Sequence, residues 1–323
     1  MPGGMQRFRG SEPTLQQVRW RAEATPVARL VPGEQVEIEV PDSSTGQLNA
    51  GSTVEDLRRI DLSRVDAAVG PFEIEGARAG DTLTVRIEAI DPGGWGWSAV
   101  FRDFGLLRGR FDDDLVVWKR EGDTMVPGRG FLRPIPIPMR PMIGWIGVAP
   151  AEGDLGMIPP QRHGGNLDNR LHGVGSEVHL PVQRAGALLL VGDPHAAQGD
   201  GEVCGTGIET SATVRISVDL LRGEFRRGPS ALASTSADPG GRWLVTEGVG
   251  PDPRAAAAEA TEEMILRLGE RGLTAPEAYL LLSVAGHLRL SEVVDEPNWV
   301  VSMLFSESLA DAAARIPWSP AVK

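Results

Sequence analysis

A mainly β fold with helices gathered near the C-terminus is predicted by three patterns. Val36-Glu37-Ile38-Glu39-Val40, Thr82-Leu83-Thr84-Val85-Arg86-Ile87-Glu88-Ala89-Ile90 and Val214-Arg215-Ile216-Ser217-Val218 alternate apolar and polar residues, the period of half-buried strands. Glycine and proline punctuate the stretches between them, which for the first half of the chain points to an all-β sandwich or barrel. Past residue 250 the period turns helical. These patterns divide the chain into a β-rich body, 1–220, and an α+β part, 221–323, packed on it, with one integrated domain as the alternative.

The elements follow in order. Pro32-Gly33 turns into the strand at 36–40, and Ser52 or Thr53 is placed to cap a short helix. Gly93-Gly94-Trp95-Gly96-Trp97 sets two tryptophans among glycines, either a turn pinned by aromatic packing or one wall of a ligand pocket. From Phe131 to Gly144 proline alternates with apolar residues, and because proline cannot donate to a ladder this is an edge or a crossing segment, not a central strand. Ala187-Leu188-Leu189-Leu190-Val191 and the run at 214–218 read as strands joined by a long polar connection. Asp252-Pro253 opens an alanine-rich helix ending near Gly269 or Gly272. Thr274-Ala275-Pro276-Glu277 has the form of a capping box before a second, more buried helix, and 306–315 reads as a third. His287 reads as a helix-end residue.

Charge narrows the partners. With 44 acidic against 32 basic residues and a formal charge of -12, a nucleic-acid or anionic-membrane surface is disfavoured, since both attract basic faces. A small neutral or cationic ligand fits better. Lys119 and Lys323 are the only lysines and Cys204 the only cysteine, so an internal disulfide is excluded and a catalytic lysine has few candidates. No signal-peptide core and no membrane-length apolar run is present, and the expectation is a cytoplasmic protein. Symmetric assembly is common enough that a homo-oligomer is expected.

Chemistry concentrates between residues 192 and 209. Asp193 and His195 are two residues apart, as are Asp200 and Glu202, a spacing that in extended backbone sets each pair on one face. A connection serving only to join strands would not need four such groups. Imidazole and carboxylate suit zinc, and an oxygen-rich set including Asn166 and Asp168 would also accept a harder cation such as calcium. Glu202 is then placed to shuttle a proton to or from activated water. Singly, each residue has a plainer reading: an aspartate in a glycine-rich loop caps a turn, and a histidine satisfies a core hydrogen bond. Cys204 raises thiolate chemistry, set against a buried, inert cysteine on a strand. His163, His172 and His179 stand as structural or supporting candidates.

His163-Gly164-Gly165-Asn166-Leu167-Asp168 and Gly192-Asp193-Pro194-His195-Ala196-Ala197-Gln198-Gly199-Asp200-Gly201-Glu202 resemble the two signature elements of the acetamidase/formamidase family. The resemblance runs from about Pro26 to Glu296, with weaker stretches in matching order at Gly70-Pro71, Gly76-Ala77, Gly80-Asp81, 144–150 and 205–209. It implies a jelly-roll-like β-sandwich joined to a smaller α+β part, and hydrolysis of a short amide to a carboxylic acid and ammonia, a cyclic amide being a variant of the same chemistry. It implies Asp168, Asp193 and His195 as ligands of a divalent ion, zinc before calcium, and Glu202 with Asp200 as the proton-moving acids. Asn166, Gln198 or a backbone N–H would polarise the carbonyl. Two departures stand out: Leu171-His172 where an acidic residue is usual, and Val18-Arg19 before Trp20 where a histidine is usual. Two other readings remain: a non-catalytic β-sandwich module that binds a cation or small ligand, and an oxygen-using metalloenzyme, for which one histidine in the signature is too few.

Overall fold

Each alternating run becomes a strand of one sheet. In the computed structural model, which describes residues 5–234 and 241–315, strands Gln35–Val40, Ala212–Leu221 and Thr82–Pro92 lie side by side. The sheet continues antiparallel through Glu177–Pro181, Ser230–Ser234, Arg242–Gly250, Trp299–Ser306 and His287–Glu292, while Gln6–Arg9 adds a parallel edge beside 35–40. Because 177–181 pairs with 230–234, one nine-stranded sheet crosses residue 220 without a break.

A second, six-stranded sheet carries Gly164–Asn166, Met142–Gly147, Leu189–His195 and Ala68–Ile74 in that order, with Gln16–Gln17 and Ala28–Leu30 against the last. Val36, Ile38, Val85, Ile87 and Ile216 of the large sheet meet Phe72, Ile143, Ile146, Leu189 and Val191 of the second in one buried core. The two-layer sandwich follows from period 2, which delivers alternate side chains to a single face. Burying each such side chain is worth ~1.5–3 kcal/mol. A four-stranded sheet, Trp95–Val100, Asp114–Glu121, Thr124–Arg129 and Ile137–Pro138, stands beside it.

The proline-rich segment divides. Ile137–Pro138 is an edge, as expected, but Met142–Gly147 is a central strand between two neighbours, contrary to expectation. Pro141 is the last proline before the strand, so every residue of Met142–Gly147 has an N–H to give the ladder.

Helix Pro253–Gly269 is capped by Asp252, whose Oδ1 accepts from Ala255 N–H at 2.7 Å. It packs on strands 242–250 and 299–306, so closely that a Cβ on Gly248 would stand 1.9 Å from Ala256 O. In helix Ala275–Ala285, Glu277 accepts from both Thr274 N–H and Oγ1, as the box implies. The expectation that this helix is the more buried one is overturned: Ala278 and Leu282 are buried, whereas Tyr279, Leu280 and Val284 are exposed. The run Leu280-Leu281-Leu282 winds around the helix, and only one stripe of it meets the sheet. His287 opens the edge strand His287–Glu292 instead of ending the helix. Helix Glu307–Arg315 follows directly on strand 299–306, and Thr53 with Asp56 boxes helix Val54–Leu57. Among the described residues no helix is long and apolar enough to cross a membrane.

Candidate active site

Gly144 is the point about which the two signature elements meet. Strand register pairs Ile143 with Pro194, Trp145 with Gly192, and Trp145 on its other side with Asn166. Leu167 N–H and Asp168 N–H both donate to Gly144 O, at 3.0 and 3.3 Å. A Cβ at 144 would lie 2.3 Å from Asp168 Oδ1 and 2.8 Å from Asp193 Oδ2, so only glycine lets both carboxylates converge. Strand 189–195 ends at His195, and the chain returns at Glu209, with Ala196 N–H donating to Ile208 O and Ile208 N–H to Ala197 O, both 2.8 Å.

Asp193 and His195 do share a site, but not through extended backbone. Asp193 has φ +50°, and Asp66, Asp168 and Glu202 are also left-handed at +54°, +39° and +44°. Non-glycine residues seldom adopt this region, and each costs ~1–3 kcal/mol that the surrounding structure must offset. Asp200 and Glu202, expected on one face, part company across Gly201, where φ is +88°. Glu202 turns inward and is buried. Asp200 stays at the surface near Arg170 and Arg289, at 3.9 and 3.8 Å, and does not line the cavity. Asp200 is thus not brought together with Glu202 and the other buried acids.

The geometry of His195 decides what the site can hold. Gln198 Nε2 donates to Asp168 O at 2.6 Å, which turns Gln198 Oε1 toward His195 Nδ1 at 2.7 Å. That ring nitrogen must then carry the hydrogen, leaving the Nε2 lone pair of a neutral ring facing Asp193 Oδ2 and Glu209 Oε2, each 3.1 Å away. A lone pair and two carboxylate oxygens at that distance require positive charge, either a proton or a cation. Neither oxygen lies where an N–H would direct a hydrogen bond: His195 Nε2, Asp168 Oδ1 and Asp193 Oδ1 are all buried without one. Ligand atoms of Asp168, Asp193 and His195 fall within 4.8 Å of one another, as do those of His195, Glu202 and Glu209 and those of Asp168, Glu202 and Asp295. Mixed nitrogen and oxygen donors with open valences fit a divalent ion. Gln198, expected to polarise a carbonyl, has both ends of its amide engaged and instead fixes the ring.

Sequence reasoning missed Asp66, Glu209 and Asp295, which complete the acidic floor, and the buried Glu292, which accepts from Asp295 N–H at 2.6 Å. Ser43 Oγ and Gly207 N–H both donate to Glu209, at 2.7 Å, and Asn166 Nδ2 donates to Asp295 Oδ2 at 2.6 Å. Burial, followed by repulsion from neighbouring carboxylates, holds Asp66, Asp168, Glu202 and Asp295 well above the usual carboxylate range. Burial pushes Glu209 and Glu292 up to about 7. Burial acts against both charges of the Asp193–His195 pair; even so, His195 holds Asp193 low, while Glu209 and Asp193 hold His195 high. A signal did exist in part: Asp66 interrupts Val65-Ala67-Ala68-Val69, and Asp295 follows Val293-Val294, acids in apolar runs where a solvated turn does not explain them.

The other candidates separate from this centre. Cys204 is half-buried on a turn, not on a strand, with Sγ 3.6 Å from Thr206 O. His163 packs edge-on against Trp20, His179 meets Thr84 Oγ1 at 3.0 Å, and His172 Nε2 lies 3.0 Å from Glu247 Oε1 with both side chains fully buried. Leu171 and His172, the first departure, do not line the cavity, and Arg19, at the second, pairs with Asp154 on the surface. Trp97 stands on strand Trp95–Val100, not in the turn of the first reading, and is buried with Nε1 donating to Asp42 at 2.8 Å while forming one wall of the cavity. That cavity, about 400 Å³, opens above Asp168, Asp193, Glu202, Glu209 and Asp295.

The family described as Acetamidase/Formamidase matches residues 6–156 and 151–311. The chain belongs to the acetamidase/formamidase family. Among its relatives in this family, the formamidase of Methylophilus methylotrophus is 26% identical over 89% of this chain and 88% of its own length. The acetamidase of Mycolicibacterium smegmatis is 27% identical over 83% and 84%. The crystal structure of the acetamidase from Bacillus halodurans superposes with a TM-score of 0.85 at 31% identity, covering 95% of this chain and 99% of that one. The two stretches that carried the resemblance are the two that Gly144 brings together.

Proposed function

We propose that this chain hydrolyses the C–N bond of small linear amides to a carboxylate and ammonia on the floor formed by Asp168, Asp193 and His195. The observation that carries the reading is the convergence of these three side chains, with unfilled valences, beneath a cavity in a protein of amidase ancestry. A divalent ion held by Asp168, Asp193 and His195 would supply Lewis acidity, making water nucleophilic near neutral pH and polarising the amide carbonyl. Glu202 is buried and its carboxyl is held above the usual range, which suits a group that takes a proton from attacking water and returns it to the departing nitrogen. A C–O bond forms, the C–N bond breaks, and nitrogen leaves as ammonia. Asn166 gives Nδ2 to Asp295 and keeps Oδ1 without a partner at the cavity, so it serves to accept the substrate amide N–H and orient it.

Zinc suits the imidazole nitrogen better than calcium does. The single cysteine accords with a reducing, cytoplasmic compartment, and the exposed Tyr279, Leu280 and Val284 accord with self-association. The chain is read as one integrated domain, the signature elements lying before residue 220 and Asp295 reaching the site from beyond it. Glu202→Gln tests the role assigned to the acid: ammonia release from acetamide should fall ~10²–10⁴-fold with the fold retained by circular dichroism. Undiminished release would remove Glu202 from the chemistry.

A further inference from the structure

We propose that the space above the acidic floor is an acyl-group subsite for a bulky, uncharged apolar substituent. The preferred substrate is then a primary amide with an aromatic or branched aliphatic acyl group, not formamide or acetamide. This inference rests on the amidase reading above and names the substrate class of that site.

Size is the first ground. A cavity of about 400 Å³ falls in the range that takes drug-sized ligands, ~300–1,000 Å³, whereas acetamide would occupy only the part next to the acids. Chemistry of the walls is the second. Carboxylates, Ser43, Ser44 and Thr206 supply the polar part of the lining, and Ile60, Val65, Trp97, Phe101, Phe104 and Ile158 much of the apolar part. Trp97 is buried, the two phenylalanines are half-buried and Ile158 is exposed, so apolar side chains line the cavity at every level of burial. A substrate without an apolar group would leave all of it in water, at a cost proportional to its area. Charge is the third. None of the described residues lining this cavity is a lysine or arginine, and Asp103 and Asp113 stand at its mouth, so an anionic acyl group has no partner and meets repulsion.

The walls are also tied to the chemistry. Phe104 lies against Gly205, where a Cβ would stand 2.3 Å from Phe104 Cδ1, and a Cβ on Gly105 would stand 2.7 Å from Cys204 O. Leu106 N–H donates to Val203 O at 3.0 Å. The segment bearing Phe101 and Phe104 is thereby clipped to the turn that follows Glu202. An acyl group seated against these rings has its carbonyl carbon held in register with that acid, an orienting effect a methyl group is too short to use.

The test measures kcat/KM for acetamide, cyclohexanecarboxamide, phenylacetamide and the anionic succinamate with the intact protein. A well-filled apolar pocket gains about 10-fold or more per added methylene, so phenylacetamide should exceed acetamide about 100-fold and succinamate should be turned over poorly. Phe101→Ala, and separately Ile158→Ala at the exposed mouth, should each lower the ratio of phenylacetamide to acetamide about 10-fold. Acetamide cleaved as fast as phenylacetamide, or a ratio unmoved in both variants, overturns the subsite while leaving the amidase reading intact. Absence of ammonia from every amide overturns both.

Discussion

Two buried histidine–carboxylate groups lie in this molecule, and they do opposite things. His172 faces one carboxylate, Glu247, which also receives Asn169 Nδ2; both members are fully buried and neither borders the cavity. His195 faces Asp193 and Glu209 at 3.1 Å, with Asp168 at 3.9 Å and Glu202 at 3.8 Å, and these four carboxylates line an open cavity. One imidazole facing one carboxylate leaves no surplus of acidic groups around the ring. One imidazole among several carboxylates leaves an excess of acidic groups, an arrangement that could hold a cation. Charge balance, more than burial or residue type, separates the functional centre from the structural one.

The largest consequences concern the unbalanced group. Asp168 is held far above the usual range by burial and by Asp193, so its ionised form costs stability when no cation is bound. Asp168→Asn, which tolerates the left-handed backbone, should abolish ammonia release and raise the stability of the cation-free protein by ~0.5–2 kcal/mol. A loss of both would erase the distinction. In the balanced group the signs reverse: Glu247→Ala leaves His172 and Asn169 without their partner and should cost ~3–5 kcal/mol in urea unfolding, with turnover per folded molecule retained.

A third histidine extends the series to no carboxylate at all. Burial against Trp20 pushes His163 down to about 4, whereas in the unfolded chain it charges near ~6.5. The unfolded state therefore binds more protons between these values, and the stability contributed is whole above pH 6.5 and lost as pH falls toward 4, by ~1.4 kcal/mol per unit. His163→Phe, which keeps the edge-on contact, should flatten that part of the slope; equal slopes in parent and variant would show that the ring is not held neutral. Smallest is Asp200→Asn, which removes only exposed ion pairs to Arg170 and Arg289. It should change stability by less than ~1 kcal/mol and leave ammonia release unchanged, and a large fall in release would return Asp200 to the site.

Period and punctuation made the sandwich legible, because alternation at 36–40, 82–90 and 214–218 speaks directly of a face. Caps at Asp252 and Thr274 were equally readable, being local chemistry. Met142–Gly147 was obscured by the prolines just before it, and the exposure of helix 275–285 depends on a neighbouring surface that no window of sequence contains. Within the site, Asp168, Asp193, His195 and Glu202 stood in two short stretches. Asp66 and Asp295, 229 positions apart by subtraction of their numbers, meet only after both sheets have formed. The separation of Asp200 from Glu202 turned on the positive φ of Gly201 and Glu202, which the two-residue spacing does not specify.

The most direct measurement is ammonia release from acetamide and phenylacetamide by the purified protein before chelation, after it, and after return of single divalent ions, with the ion content followed alongside. Release that falls with the ion and returns with it is the expected result. Release that persists in the ion-free protein and vanishes in Cys204→Ala would contradict the assignment of the Asp168, Asp193 and His195 floor and move the chemistry to the thiol.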